Sequence, residues 1–196
     1  MIFKLQPIII KTLWIINLWQ KTGLNLLTIF FTMIRKTLTK EQAYQKLKHY
    51  CAYQDRCHSE VKSKAYLLGM RKDDVEELTS KLIEEGCLQE ERFARSFAGG
   101  KFRMKQWGRN KIRSELRKKQ VSIHCITAAL DEIDEHKYKQ TLQKLAVKRW
   151  NSVKGEGVNL FVKMTKTRNF LLLKGYEPIL VSNEIKQLSE KQKGAG

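Results

Sequence analysis

KIRSELRKKQVSIHCITAAL, residues 111–130, holds the pattern from which the fold can be read. Ile112 and Leu116 stand one helical turn apart, the pattern breaks at Gln120, and apolar residues resume at Ile123, Ile126, Leu130 and Ile133 in steps suited to a second amphipathic helix. The same arrangement recurs on either side, in EVKSKAYLLGMRKDDVEELTSKL (60–82) and KTRNFLLLKGYEPILVSNEIKQL (166–188). The three stretches align at Gly69, Gln120 and Gly175. An apolar residue follows each at once (Met70, Val121, Tyr176), another stands six positions on (Val75, Ile126, Val181), and a third four positions before (Ala65, Leu116, Leu171). A basic helix, a sharp stop and an amphipathic helix thus recur about every 50 residues, the signature of stacked supersecondary units. Glycine suits a left-handed helix stop, whereas a non-glycine residue there costs about 1 kcal/mol, so the stop at Gln120 is expected to use another geometry.

The remaining periodicity completes each unit. Ala43, Leu47 and Tyr50 share one face of a first helix. Ser59 is a plausible N-cap for Val61–Leu68, and Val75, Leu78 and Leu82 mark a helix that stops at Gly86. QEERFARSF opens the next unit with acids in its first turn and Phe93 and Phe97 one turn apart. Tyr138, Leu142 and Leu145 begin a further helix, followed by the flexible stretch NSVKGEG, a helix with Met164, Phe170 and Leu171, and a last helix with Pro178 in its first turn. No alternating run long enough for a strand occurs. The chain is read as all-α, with three tandem three-helix modules at 38–88, 89–134 and 135–192.

Residues 1–34 form an apolar extension of different character, and 1–32 contain no acid. Lys11, Asn17, Gln20, Lys21 and Asn25 interrupt it too often for a spanning helix, and no small-residue cleavage site follows a clean apolar run. Three readings stay open: a natural start at Met33, a membrane or interfacial anchor, and an ordered extension.

The charge balance, 38 basic against 20 acidic residues, is +18 and favours a polyanionic partner. It is concentrated in FAGGKFRMKQWGRNKIRSELRKK (97–119), where nine Lys or Arg accompany one carboxylate, Glu115. A helix over 109–119 buries only the seam of Ile112 and Leu116, with Arg109, Arg113 and Arg117 in a row beside it and Lys111 and Lys118 on the opposite side. A solvated face would normally interleave Glu with Lys, and this one does not. Phe102 and Met104 are expected to pack in a core, and Trp107 either packs or is offered to bases or a partner. Cys51, Cys57, Cys87 and Cys125 lack CxxC pairing, so buried thiols in a reducing compartment are expected rather than a metal site. The pairs Glu90–Glu91 and Asp73–Asp74 are explained as helix-start charges, and Gly155–Gly157 lacks the surroundings of a phosphate loop. No catalytic constellation is found.

Three stretches resemble blocks of the RecX family, the bacterial regulators of the RecA recombinase: RCHSEVKSKAYLLGM (56–70), EEGCLQEERFARSF (84–97) and WGRNKIRSELRKKQVS (107–122). The resemblance covers roughly Tyr44 to Leu188. Cys87 departs from the family's usual aromatic, Gln89 and Glu90 from its acidic pair, and Gln120 from its glycine. The resemblance implies a non-enzymatic protein; a cytoplasmic monomer without cofactor, metal or small-molecule substrate is expected, and one without membrane attachment unless residues 1–32 anchor it. It implies an elongated, curved stack of modules that lodges in the groove of RecA filaments and binds single- or double-stranded DNA weakly. It also implies restraint of RecA's ATPase, strand exchange and coprotease activity in recombination, repair and the SOS response. The interacting face expected on this basis comprises Arg56, Lys62, Arg92, Lys101, Arg103, Lys105, Trp107, Arg109, Lys111, Arg113, Arg117 and Lys118, with Phe93 packing between modules and Arg92 holding a neighbouring carboxylate. The alternative is a basic helical DNA-binding protein acting independently of RecA.

Overall fold

The structure, a computed structural model, describes residues 38–156 and 158–194. The expectations for 1–32 lie outside these residues. Nine α-helices and no strand occur among the described residues: α1 (Lys40–Tyr53), α2 (His58–Leu67), α3 (Lys72–Glu84), α4 (Glu90–Lys105), α5 (Arg109–Lys118), α6 (Ile123–Asp131), α7 (Glu135–Ser152), α8 (Leu160–Lys174) and α9 (Pro178–Gly194). The helix pairs that pack most extensively all fall within consecutive triplets, α1–α3, α4–α6 and α7–α9. None of the described helices is long and apolar enough to cross a membrane.

Local chemistry accounts for the helix starts. Thr39 and Gln42 form a reciprocal capping box at α1, and Ser122, Asp134 and Asn159 each accept from a first-turn amide of α6, α7 and α8. Ser59 does not cap α2. That helix begins earlier, after Cys57, and Ser59 lies in its first turn, with its hydroxyl donating to the Lys119 carbonyl at 2.7 Å.

The repeat is realised at atomic level. Gly69, Gln120 and Gly175 all take left-handed backbone, with φ of 88°, 61° and 91°. The following amides, of Met70, Val121 and Tyr176, each donate to a carbonyl five residues back, on Ala65, Leu116 and Leu171, at 3.2 Å. Gln120 therefore keeps the shared geometry. Its strain of about 1 kcal/mol is smaller than the roughly 1.5–3 kcal/mol for burying a residue such as Val121, which the stop turns into the core. Two other expectations are corrected. Ile123 is 58% exposed because it opens α6 at the surface, and Met104 is 81% exposed because the buried face of α4 runs through Phe93, Ala94 and Ala98.

The core is divided in two. One cluster lies within α1–α3, around Leu47, Val61, Val75 and Leu82. The other runs without interruption from α4 to α9 and also takes in Cys57. Its bridge is a row of rings: Phe102 lies 5.7 Å from Tyr138, which lies 5.1 Å from Tyr176.

The second helices of the triplets form a head-to-tail file. Carbonyls of Lys174 and Gly175 at the end of α8 accept from Gly108 and Asn110 at the start of α5, at 2.9 and 3.0 Å. The end of α5 meets the start of α2 through the Ser59 bond and a Lys119–Glu60 ion pair of 2.5 Å. At the first junction orphan amides of one helix meet orphan carbonyls of the other; at the second a side-chain hydroxyl meets the carbonyl.

Candidate functional site

The file α8–α5–α2 carries half of the expected interface, Lys62 on α2 and Arg109, Lys111, Arg113, Arg117 and Lys118 on α5, and cross-module contacts fix some of its cations. The contact between Gly108 and Gly175 is the tightest point. A Cβ built on Gly108 would lie 2.3 Å from the Gly175 backbone, and one on Gly175 would lie 2.2 Å from the Lys111 Cβ. Only glycine allows this approach. Beside it the Arg109 amide donates to the Tyr138 hydroxyl at 2.9 Å, and that hydroxyl donates to Glu177 at 2.7 Å. Burial, joined by the Glu177 charge, holds the Tyr138 phenol well above its ordinary pKa.

Some of the expected contact residues are engaged within the molecule. Arg109, its side chain only 20% exposed, donates to Glu135 at 2.8 Å and the Ile133 carbonyl at 3.2 Å and lies over the Tyr138 ring at 4.2 Å. The Arg109 bond holds the Glu135 carboxyl below its usual range. Arg92 does hold a neighbouring carboxylate: it donates to Asp55 at 2.7 Å, while Ser96 donates to the other Asp55 oxygen at 2.6 Å. The Ser96 bond, with Arg92 behind it, keeps the Asp55 pKa low despite partial burial. Arg56 lies over the Tyr50 ring at 4.0 Å and 3.7 Å from Glu60. Lys62 pairs with Glu76 at 2.7 Å, and Lys118 with Glu115 at 2.7 Å. Trp107 is partly buried against the larger core, with Lys101 and Lys111 over its ring at 5.4 and 4.9 Å, so it packs rather than projects.

The others remain available. Of the nine cations in 97–119, Arg109, Lys118 and Lys119 meet carboxylates; Lys101, Arg103, Lys105, Lys111, Arg113 and Arg117 have none within ion-pair distance among the described residues. Arg117, Arg103 and Lys105 are exposed, and Arg113 donates only to Asn110 at 3.1 Å. An open groove of about 650 Å³ lies where α2 meets the end of α5, lined by Lys62, Ser63, Lys64, Tyr66, Lys118 and Lys119. A second, of about 530 Å³, follows α5 past Asn110, Arg113, Ser114 and Arg117 and shares Lys118 with the first. Cations, hydroxyls and a half-exposed tyrosine along joined grooves can hold phosphate or carboxylate oxygens and stack on a planar group.

Sequence reasoning missed Asp55, Glu60, Glu135 and Tyr138, which neutralise or anchor the expected cations. Asp55 and Glu135 stand 37 and 26 residues from Arg92 and Arg109, Tyr138 stands 29 from Arg109 and Glu60 59 from Lys119, beyond the reach of any local signal, although Glu60 is also four residues from Arg56.

The comparisons with known proteins follow the same outline. Residues 90–130, which span α4 to α6, match the model for the second three-helix domain of RecX. The regulatory protein RecX of Clostridium perfringens (strain 13 / Type A) is 29% identical over 133 residues, 68% of this chain and 62% of that protein. The regulatory protein RecX of Clostridium botulinum (strain Eklund 17B / Type B) is 30% identical over 128 residues, 65% of this chain and 59% of that one. The chain thus spans about 60% of the length of these relatives. The crystal structure of RecX from Lactobacillus salivarius superposes with a TM-score of 0.68 at 23% identity, over 76% of this chain and 96% of that one, a likeness of fold. The sequence blocks, the matched central triplet and the shared all-α fold converge on one likeness: the chain is similar to regulatory proteins of the RecX family.

Proposed function

We propose that this protein is a non-enzymatic regulator that binds RecA filaments on DNA and restrains RecA's ATPase, strand exchange and coprotease activity. Similarity to regulatory proteins named RecX supports the reading. The observation that carries it is the head-to-tail file of second helices, whose grooves bear Lys64, Arg113 and Arg117, cations that no carboxylate of the described residues neutralises. A filament groove offers acidic protein surface and DNA phosphates together, and a linear series of modules with a basic face suits it. The protein acts in the cytoplasm, where RecA filaments form on DNA, and contacts DNA weakly by itself.

The test is RecA's ATPase on single-stranded DNA with increasing amounts of this protein. Inhibition at amounts far below those that coat the DNA supports a filament regulator. Inhibition only at saturation of the DNA would favour a basic helical protein acting on DNA without RecA, and no inhibition would remove the proposal. Charge reversal at Arg113 and Arg117 is expected to abolish inhibition with helical content unchanged.

A further inference from the structure

The repeat extends to positions that the core does not dictate. Counting back from the left-handed residue of each triplet, eight and four positions give Val61 and Ala65, Ile112 and Leu116, Thr167 and Leu171, all of them fully buried. At about 100° per residue, the position six back lies on the opposite pole of the helix, and the position seven back on its flank. Those positions hold Lys62–Ser63, Arg113–Ser114 and Arg168–Asn169. A cation followed by a small hydrogen-bonding side chain therefore stands at one address in all three modules. Ser63, Ser114 and Asn169 are exposed, and none makes a side-chain hydrogen bond among the described residues. Packing explains a repeated interior and leaves a repeated outer pole free to vary.

We propose that these three pairs are a phosphate-gripping unit used once per module, so that the file α8–α5–α2 follows a phosphodiester backbone. The inference rests on the functional reading above and names the chemistry of its DNA contact. A cation beside a neutral donor is the pairing that positions proteins on phosphates. A unit repeated along a line matches a partner that repeats its acceptors along a line, as a nucleic-acid backbone does. The first two units line the two joined grooves. Lys62 must exchange its pair with Glu76 for phosphate; both side chains are exposed enough that the pair contributes little, about 0–1 kcal/mol.

The experiment measures binding of the full chain to fluorescent 40-residue single- and double-stranded DNA by anisotropy between about 50 and 200 mM salt, the range over which phosphate contacts report themselves. Lys62→Gln, Arg113→Gln and Arg168→Gln are each expected to reduce the slope of log affinity against log salt by about 0.7 on single strands or about 0.9 on duplex, and the triple variant by roughly their sum. Comparison of the two DNAs shows which source of phosphate is gripped. Lys148→Gln, an exposed cation of α7 outside the file, is expected to leave the slope unchanged, and Ser63→Ala, Ser114→Ala and Asn169→Ala to weaken binding at every salt concentration without altering it. Circular dichroism confirms that each variant is folded. An unchanged slope in any one of the three, or an equal loss in Lys148→Gln, overturns the unit. A triple variant that keeps its DNA slope but no longer restrains RecA's ATPase assigns the residues to acidic protein instead. If the native protein shows the slope changes without restraining RecA, the functional reading fails while the unit stands.

Discussion

Gln120 and Thr167 are the two residues at which the triplet repeat is imperfect, and each carries a measurable cost. Gln120 sits at φ 61° where its counterparts are glycine, with its side chain in solvent. Gln120→Gly is expected to relieve about 1 kcal/mol of backbone strain and, for a chain of this size, to raise the melting temperature by roughly 2–4 °C. The gain is reduced by the extra entropy glycine brings to the unfolded chain, so a fall in melting temperature would show that strain is not the larger effect. Thr167 is fully buried where the other triplets have Val61 and Ile112, and its hydroxyl has no partner. Thr167→Val keeps the shape and removes the unmet donor. It is expected to stabilise the protein by about 1–3 kcal/mol in denaturant titration.

At the scale of the element, helix stops that look alike in sequence differ in what surrounds them. Gly69 and Gly175 both have φ near 90°, but a Cβ on Gly69 meets nothing within 4 Å, while one on Gly175 strikes Lys111 at 2.2 Å. Gly69→Ala is therefore expected to cost only backbone strain, about 1–2 kcal/mol. Gly175→Ala adds the separation of α8 from α5, with loss of the amide bonds from Gly108 and Asn110, and is expected to cost more and to expose Trp107 fluorescence to quenchers. The seam between the first two triplets depends on pH. The Asp55 pKa is lowered in the folded state, so its stabilisation is complete above the ordinary value of 3.8 and is lost as pH falls through the lowered one. The gap in melting temperature between the native protein and Asp55→Asn is expected to be widest near pH 6 and to close below about pH 4. The three stops and the residues four before, one after and six after them were legible in the sequence because burial restricts those positions to apolar types. The cation pairings were not, since Arg109 finds Glu135 and Lys119 finds Glu60 only once separate helices have docked.

Across the whole molecule, three sequence repeats give two cores, because the rings of Phe102, Tyr138 and Tyr176 and the Gly108–Gly175 contact fuse the second and third triplets. The first triplet keeps its own core and meets the second mainly through polar groups: Asp55 with Arg92 and Ser96, Ser59 with the Lys119 carbonyl, and Glu60 with Lys119. Partly exposed ion pairs and hydrogen bonds of this kind contribute about 0–1.5 kcal/mol each, far less than a continuous apolar core. Cooperativity should follow the cores rather than the repeats. Leu82→Ala and Leu142→Ala each empty a buried site and are expected to cost about 2–5 kcal/mol. In native-state hydrogen exchange, Leu82→Ala should lower protection in α1–α3 and leave α4–α9 near native values. Leu142→Ala lies in the third triplet, yet it should lower α4–α6 together with α7–α9, because one core serves both. If Leu142→Ala loosened α7–α9 alone, the ring bridge would be mere contact, and the second triplet would have to be stable by itself despite sharing its apolar interior with its neighbour.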